Sequence, residues 1–470
     1  MRSEAVTKDI EVTGLTCDSR KVAPGFLFAA LPGSNLDGRG FIDQAIQHGA
    51  IAILAPEGTD VDGSVAVLTS TNPRRSYARM AARLYGAGPA SVAAVTGTNG
   101  KTSVASFSRQ IWSHLGKKAA SMGTLGIIAP GFERPEGLTT PDPSDLHQSL
   151  AQLASRGVEK LTMEASSHGL DQYRLDGVTV SLAAFTNISR DHLDYHGSME
   201  DYLAAKLRLF SEVLCDDGVA VLNADDDAYR SFCEAAPGRV LSYGRNGTDI
   251  QLENLKAVAA GQRLDLIVMG ASYTITLPLA GTFQVENALC ALGLVLADGA
   301  ETAAALQALE ILQGVPGRLQ HIADLSNGAA IYVDFAHTPD ALATVLGAMR
   351  PHAVGKLTVV FGCGGDRDAG KRPEMGRVTC EMADDVIITD DNPRGEDAGK
   401  IRAQAMAACP RAREVAGRAR AIDLAVSELQ GGDVLIVAGK GHETGQTVAG
   451  QVHPFNDAEE ILRAVREVGR

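Results

Sequence analysis

Six residues, Gly97-Thr98-Asn99-Gly100-Lys101-Thr102, constrain this chain more than any other feature. An apolar run, Val92-Ala93-Ala94-Val95, leads into them, and a helix-compatible segment, Ser103 to Leu115, follows. A buried strand, a glycine turn and a helix opened by Lys-Thr form an arrangement that holds nucleotide phosphates. Glycines let the backbone approach the anion, and N–H groups at the helix start point at it. Lys101 can reach the β- and γ-phosphates, and the Thr102 hydroxyl can ligate Mg²⁺. The usual phosphate loop has more residues between its glycines; here only Thr98 and Asn99 intervene. The chain must therefore build an α/β sheet around a shortened loop.

A length of 470 residues suggests about three domains. The Gly86-Ala87-Gly88-Pro89 and Gly314-Val315-Pro316-Gly317 segments punctuate the chain. They divide it into residues 1–88, 89–316 and 317–470. Short apolar runs in the first part (Leu27–Ala30, Ile51–Leu54, Val65–Leu68) precede a helical stretch, Arg75–Tyr85. The second part reads as strands at Val92–Thr96, Lys160–Glu164, Leu182–Thr186 and Val219–Asn223. Helices are expected over Pro143–Arg156 and Met199–Leu214. Such alternation predicts a mostly parallel sheet. The alternating stretch Gln262–Leu279 predicts an antiparallel appendix. In the third part the strands Ala330–Phe335, Leu357–Phe361, Val386–Thr389 and Val434–Ala438 each end in a polar or glycine-rich loop. Ligands of open α/β sheets bind beyond the carboxyl ends of strands, so four such loops converge on one edge.

A net charge of −14 leaves no basic surplus to displace counterions, which excludes a general nucleic-acid binder. Seven cysteines, an odd number with no CxxC pair, read as reduced thiols. Met1 to Val12 is charged and lacks an apolar core, so no signal peptide is expected. No apolar run approaches the roughly 18 residues of a membrane span.

Several residues carry candidate chemistry. Glu164 ends a strand near the phosphate loop, where a carboxylate suits Mg²⁺ as well as it suits solvent. Asp191-His192-Leu193-Asp194-Tyr195-His196 has two histidines four apart, a spacing compatible with zinc. No third His or Cys ligand accompanies them, and beside a phosphate loop magnesium is preferred. Lys206 is by default a solvated helix charge. Near polyphosphate it can bind phosphate, or lose its proton and take up CO₂ as a carbamate with oxygen ligands for a hard cation. Asp334 ends a strand where an acid can accept from ribose hydroxyls. Arg318, at the second boundary, reaches phosphate only if the third part closes. Arg394 in Asp391-Asn392-Pro393-Arg394, with Arg367 and Glu443, makes a pocket of both charges. Such a pocket suits a zwitterionic amino acid, with arginine on the carboxylate and Glu443 on the ammonium.

Taken together, these segments resemble the Mur ligase family. The matching pieces include GTNGKT (97–102), LTTPDP (138–143), MEASSHGLDQYR (163–174), NISRDHLDYHG (187–197), YLAAKLRLF (202–210), VENALCAL (285–292), VDFAHTPDAL (333–342), DDNPRGED (390–397) and GKGHET (439–444), in family order. The resemblance implies an N-terminal UDP-binding α/β domain, a central ATPase-like domain with a mostly parallel sheet, and a C-terminal Rossmann-like domain. It implies ATP-dependent amide formation: ATP phosphorylates the D-Glu carboxylate of UDP-N-acetylmuramoyl-L-alanyl-D-glutamate, and the amine of meso-2,6-diaminopimelate displaces phosphate. By the same matching, Thr102, Glu164, His192 and carbamylated Lys206 surround Mg²⁺, with Lys101 in the catalytic set. Gly97 to Thr102 with Asn287, Arg318, Asp334 and His337 serve ATP. Ser19, Thr139, Thr140, Ser166, Gln172 and Arg174 hold the UDP-substrate. Arg367, Asp391, Asn392, Pro393, Arg394, Gly439 and Glu443 hold diaminopimelate. The resemblance also implies a cytoplasmic monomer. An L-lysine-adding relative or a folylpolyglutamate synthetase-like ligase is the alternative; Arg394 favours diaminopimelate. Phe335, where the family often has Tyr, and Ser34-Asn35-Leu36 depart from its pattern.

Overall fold

The computed structural model describes residues 10–33, 36–61, 65–135, 137–258 and 261–468. Ser34 and Asn35, and most of the charged N-terminal stretch, lie outside the described residues. The chain divides into two compact units, Met1–Ser242 with Gly293–Ala300, and Tyr243–Leu292 with Glu301–Arg470.

The first unit holds two sheets. The N-terminal one is parallel, in the order Gly14–Thr16, Phe26–Ala29, Ala52–Pro56, Ala66–Ser70. The helix Pro73–Tyr85 follows, with proline in its first turn, where no N–H is missed, and Asn72 capping Arg75 N at 3.0 Å. The second sheet runs, as neighbours, Leu214–Asn223, Val180–Phe185, Ser91–Thr96, Lys160–Glu164, Ala119–Gly123. These five strands are parallel, and Gly126–Ala129 and Phe132–Arg134 add an antiparallel edge. Ser91–Thr96 is buried at every position, as an apolar strand covered on both faces must be.

Pairing register places three strand ends side by side: Val95 opposite Glu164, and Thr96 opposite Phe185. The phosphate loop, Glu164 and the Thr186–His192 segment thus leave one sheet edge together. The sequence places the strand before Asn223 too late. It starts at Leu214, directly after a wider turn of helix, Leu209–Val213, that succeeds Met199–Arg208. Leu209, Phe210 and Val213 stay in the core through that turn, so apolar spacing alone does not reveal the change.

The second unit contains the antiparallel strands Ile250–Val258, Gly261–Val268 and Ala271–Leu277, matching the expected appendix. Its main sheet runs Gln320–Asp324, Ala330–Asp334, Val434–Ala438, Leu357–Cys363, Asp385–Asp390, Arg413–Glu414. All pairs except the first are parallel. Helices cover both faces, and the central strands are apolar and buried. The four chemistry-bearing loops follow Asp334, Cys363, Asp390 and Ala438, at the carboxyl ends of four adjacent strands.

The expectation of seven reduced thiols is corrected in one place. Cys380 and Cys409 form a disulfide, with Cα atoms 5.4 Å apart. They lie 29 positions apart, on the helix Lys371–Met382 and just after the helix Ala398–Met406. Packing of these helices brings them together, which no local spacing signals. Cys17, Cys215, Cys233, Cys290 and Cys363 are free.

Candidate active site

The phosphate loop needs its glycines. Gly97 has φ +150°, and a Cβ there would lie 1.9 Å from Thr186 Oγ1. Gly100 has φ +89° and begins the helix Lys101–His114. A neighbouring segment braces the loop: Thr186 Oγ1 donates to Asn99 O at 2.6 Å, Thr98 N to Asn187 O at 2.8 Å, and Asn99 N to Asn187 Oδ1 at 3.0 Å. Asn187 and Tyr202 are contributors the sequence reading missed; the Tyr202 hydroxyl sits 3.1 Å from Thr98 Oγ1.

Two lysines meet at this loop. Lys101 Nζ donates to Gly97 O and Thr98 O, both at 2.8 Å, and Lys206 Nζ donates to Gly97 O at 2.9 Å. The solvated-charge reading of Lys206 is overturned, because its side chain is 1% exposed and its Nζ lies 4.4 Å from the Tyr202 ring centroid. Burial, then repulsion from Lys101, pushes its pKa well below the ordinary lysine value. An amine poised to be neutral is the form that reacts with CO₂.

Glu164 is 2% exposed. Its Oε1 accepts from Thr124 N at 2.8 Å and its Oε2 from the Thr124 hydroxyl at 3.2 Å. His192 adopts φ 53° at the start of a short helix, 4.9 Å from the His168 ring. Burial, with Lys101 and Lys206 nearby, lowers its pKa, so it stands as a neutral nitrogen donor. His168, which sequence reading left without a role, is held 4.1 Å from Tyr195 and is lowered to about 4 by burial and by His192 and His196.

Five of the six expected UDP-substrate residues, all but Ser19, belong to one hydrogen-bonded chain. Thr139 and Thr124 hydroxyls lie 3.2 Å apart. The Thr140 hydroxyl donates to Glu164 O at 2.9 Å and lies 3.0 Å from the Ser166 hydroxyl. Arg174 donates to Thr140 O at 2.6 Å and to Gln172 Oε1 at 2.7 Å. Gln172 and Arg174 line a cleft of about 510 Å³ shared with Cys17, Lys21, Tyr77 and Asp142. Asp142 caps the helix Pro143–Ser155 and accepts from Tyr77 OH at 2.7 Å and Cys17 Sγ at 3.2 Å. Burial and that carboxylate push the Cys17 thiol up to about 12. Ser19 is absent from the cleft lining; it is buried, and its hydroxyl donates to Gln44 Oε1 at 2.9 Å.

In the second unit, Asn287 Nδ2 donates to Gln284 Oε1 at 3.1 Å, and Gln284 donates to Arg318 O at 2.9 Å. The Arg318 guanidinium lies over the Phe335 ring at 4.5 Å. His337 stacks edge-on to the same ring at 4.6 Å. Asp334, 7% exposed, accepts from Leu319 N at 2.6 Å and Ala336 N at 2.7 Å. Burial outweighs those N–H groups and Arg318, and raises its pKa to about 6. An acid that titrates higher folded than unfolded binds more protons folded. Its contribution is therefore fully present below about pH 4 and lost as pH rises through about 6. Asp334→Asn should remove this slope. The unfolding free-energy gap between wild type and variant should move by up to about 3 kcal/mol between pH 4 and 7, with wild type losing ground. A gap that stays constant in denaturant titrations across that range would contradict the assignment.

The residues expected to hold diaminopimelate gather around one loop. A Cβ on Gly365 would lie 1.9 Å from Pro393 O, so the loop Gly364–Arg367 packs directly on Asp391–Arg394. Arg394 has φ 52°, a strained backbone for a non-glycine residue. Its NH1 donates to Gly365 O at 2.8 Å, and its N donates to Thr447 O at 3.0 Å. Arg367 flanks Gly364 beside Arg394. Asp391 Oδ2 is buried without a hydrogen-bond partner among the described residues and faces Gly439, where a Cβ would lie 2.9 Å away. Asn392 Nδ2 donates to Glu443 Oε2 at 2.9 Å. Sequence reading missed Lys440 and the hairpin Gly445–Val448 with Gln451–Pro454, which closes on Asn392 through Thr447 N at 2.8 Å.

A glycine-rich phosphate loop on a parallel sheet, in the first unit, defines a nucleotide-dependent enzyme; the second unit carries Arg394, Asn392 and Glu443 on loops at the carboxyl ends of its own parallel sheet. Comparison with known proteins agrees. Residues 11–86 match the family model described as Mur ligase family, catalytic domain; residues 95–295 match the Mur ligase middle domain; residues 317–441 match the Mur ligase, glutamate ligase domain. The chain belongs to the Mur ligase family. A Caulobacter vibrioides protein named UDP-N-acetylmuramoyl-L-alanyl-D-glutamate–2,6-diaminopimelate ligase is 53% identical, over 98% of this chain and 96% of its own length. One of the same name from Bradyrhizobium diazoefficiens is 51% identical, with the same coverage. A solved structure of a ligase of that name matches at TM-score 0.73 and 35% identity, over 98% of this chain and 96% of its own. The MurF ligase of Thermotoga maritima, solved with ADP, shares the fold at TM-score 0.64 and 18% identity, over 98% of this chain and 99% of its own.

Proposed function

We infer that this chain joins meso-2,6-diaminopimelate to UDP-N-acetylmuramoyl-L-alanyl-D-glutamate at the expense of ATP, in cytoplasmic assembly of peptidoglycan precursors. The observation that carries the amino-acid choice is the Asp391–Arg394 loop tied through Asn392 Nδ2 to the loop of Glu443, which offers a guanidinium and a carboxylate to one zwitterionic end. A carboxylate is a poor electrophile. The D-Glu carboxylate oxygen attacks the γ-phosphorus of ATP, ADP leaves, and an acyl phosphate results. The amine of diaminopimelate then attacks that carbonyl carbon, phosphate departs with the C–O bond electrons, and the ammonium proton is lost as the amide forms. Lys101 and the N–H groups of Gly97 to Thr102 stabilise the charge that develops on the phosphates. Asn287, Arg318, Asp334 and His337 serve the nucleotide, and Ser19, Thr139, Thr140, Ser166, Gln172 and Arg174 the UDP-substrate. The division into domains 1–88, 89–316 and 317–470 and a monomeric state belong to the same reading.

The residues around the phosphate loop fit Mg²⁺ on one condition. Thr102 and Glu164 offer hard oxygens and His192 a neutral nitrogen, yet Lys206 as an ammonium beside Lys101 would repel a dication. As a carbamate it exchanges that positive charge for a negative one and adds oxygen ligands. When bound, the metal neutralises the phosphate oxygens during transfer. Steady-state assays with the UDP-dipeptide and ATP, comparing diaminopimelate with L-lysine, test the reading. Expected is a preference for diaminopimelate of at least about 10²-fold in kcat/KM, the effect of one charged pair; a preference for lysine overturns the specificity.

A further inference from the structure

Lys440 follows the strand Val434–Ala438 by two positions, and its side chain is 0% exposed. Its Nζ donates to Glu443 Oε2 at 2.7 Å and to Asn392 Oδ1 at 3.2 Å. Glu443 Oε2 also accepts from Asn392 Nδ2 at 2.9 Å, and Asn392 Oδ1 also accepts from Thr447 N at 2.8 Å. This closed triangle settles the Asn392 amide: its oxygen faces two donors and its nitrogen faces a carboxylate. A flipped amide would set its N–H groups against the Lys440 and Thr447 donors and its oxygen against the Glu443 carboxylate. Glu443 keeps 31% of its side chain exposed, and its Oε1 takes no hydrogen bond among the described residues. Being buried, Lys440 is not available to an incoming amino acid. It acts on the part-exposed Glu443, directly and through the buried Asn392.

We propose that Lys440 is a positioning residue that makes this pocket demand a zwitterionic end, and so sets its discrimination between diaminopimelate and L-lysine. The proposal rests on the diaminopimelate reading given above. Half of the Glu443 carboxylate is already satisfied by a buried cation, so its attraction for an ammonium alone is blunted. An amino acid whose far end carries only an ammonium, as L-lysine does, gains too little from the remaining oxygen. One carrying a carboxylate as well also gains the Arg394 guanidinium. Removing the Lys440 charge leaves Glu443 with a full, less anchored negative charge that accepts any ammonium. Specificity here is a difference between two affinities, and Lys440 lowers the wrong one.

The test compares wild type with Lys440→Met, Lys440→Gln and Lys440→Arg. Lys440→Met and Lys440→Gln should lower the diaminopimelate-to-lysine ratio of kcat/KM by at least tenfold and raise KM for diaminopimelate several-fold, with KM for ATP unchanged. Lys440→Arg keeps the charge and should keep the ratio within about threefold, whatever it does to KM. Lys440→Gln keeps hydrogen-bonding capacity and stands in if Lys440→Met does not fold, as judged by thermal unfolding. An unchanged ratio in the neutral variants, or a rise in KM for ATP that parallels the rise for diaminopimelate, overturns the proposal. Failure of the underlying reading looks different, because wild type itself would then prefer L-lysine.

Discussion

Lys206→Ala should lower turnover by on the order of 10³-fold while leaving the protein folded. The comparison is with loss of a preorganised electrostatic group in other active sites, which costs about 10²–10³-fold. The fold should survive because the wild-type site is itself costly. A lysine 1% exposed, held by the Gly97 carbonyl and the Tyr202 ring and repelled by Lys101, gives up much of its hydration. Alanine removes that penalty along with the side-chain packing, so the unfolding midpoint should shift by no more than a few degrees, roughly 1 kcal/mol for a chain this large. Exhaustive CO₂ removal should reproduce the kinetic loss in wild type and leave the variant unaffected. Normal turnover in both cases would falsify the carbamate.

The second large effect is expected at Arg394. Replacement by alanine should raise KM for diaminopimelate by about 10²-fold, near 3 kcal/mol for a forked guanidinium–carboxylate contact, with KM for ATP nearly unchanged. Arg394→Lys should recover only part of this, because an ammonium keeps the charge and loses the fork. The positive φ at this position strains alanine and lysine alike, so the difference between the two variants isolates the side chain. Equal losses toward both ligands in Arg394→Ala would place the arginine elsewhere in the reaction.

The features that sequence exposed are those written in contiguous residues. GTNGKT between an apolar run and a helix announced its strand, turn and helix, and Glu164 stood at a strand end because it closes a short run whose inner residues are Leu161, Thr162 and Met163. The four polar loops of the second unit were legible for the same reason. What stayed hidden depends on partners far along the chain. Lys440 and Asn392 are 48 positions apart, and Cys380 and Cys409 are 29 apart. Lys206 looked like an ordinary helix charge, because periodicity alone does not show that its face turns inward under Tyr202. The start of the strand at Leu214 was missed because the apolar residues of the turn before it continue a helical pattern.

The Asp142 carboxylate has a consequence for chemical probes of this enzyme. A cysteine lines the cleft, yet its proton is kept by burial and by the acid beside it, with the thiol titrating at about 12. At neutral pH almost no thiolate exists there to attack an electrophile. Acrylamide- or chloroacetamide-bearing compounds directed at this cleft should therefore leave Cys17 untouched, and an inhibitor built for the space must rely on reversible contacts.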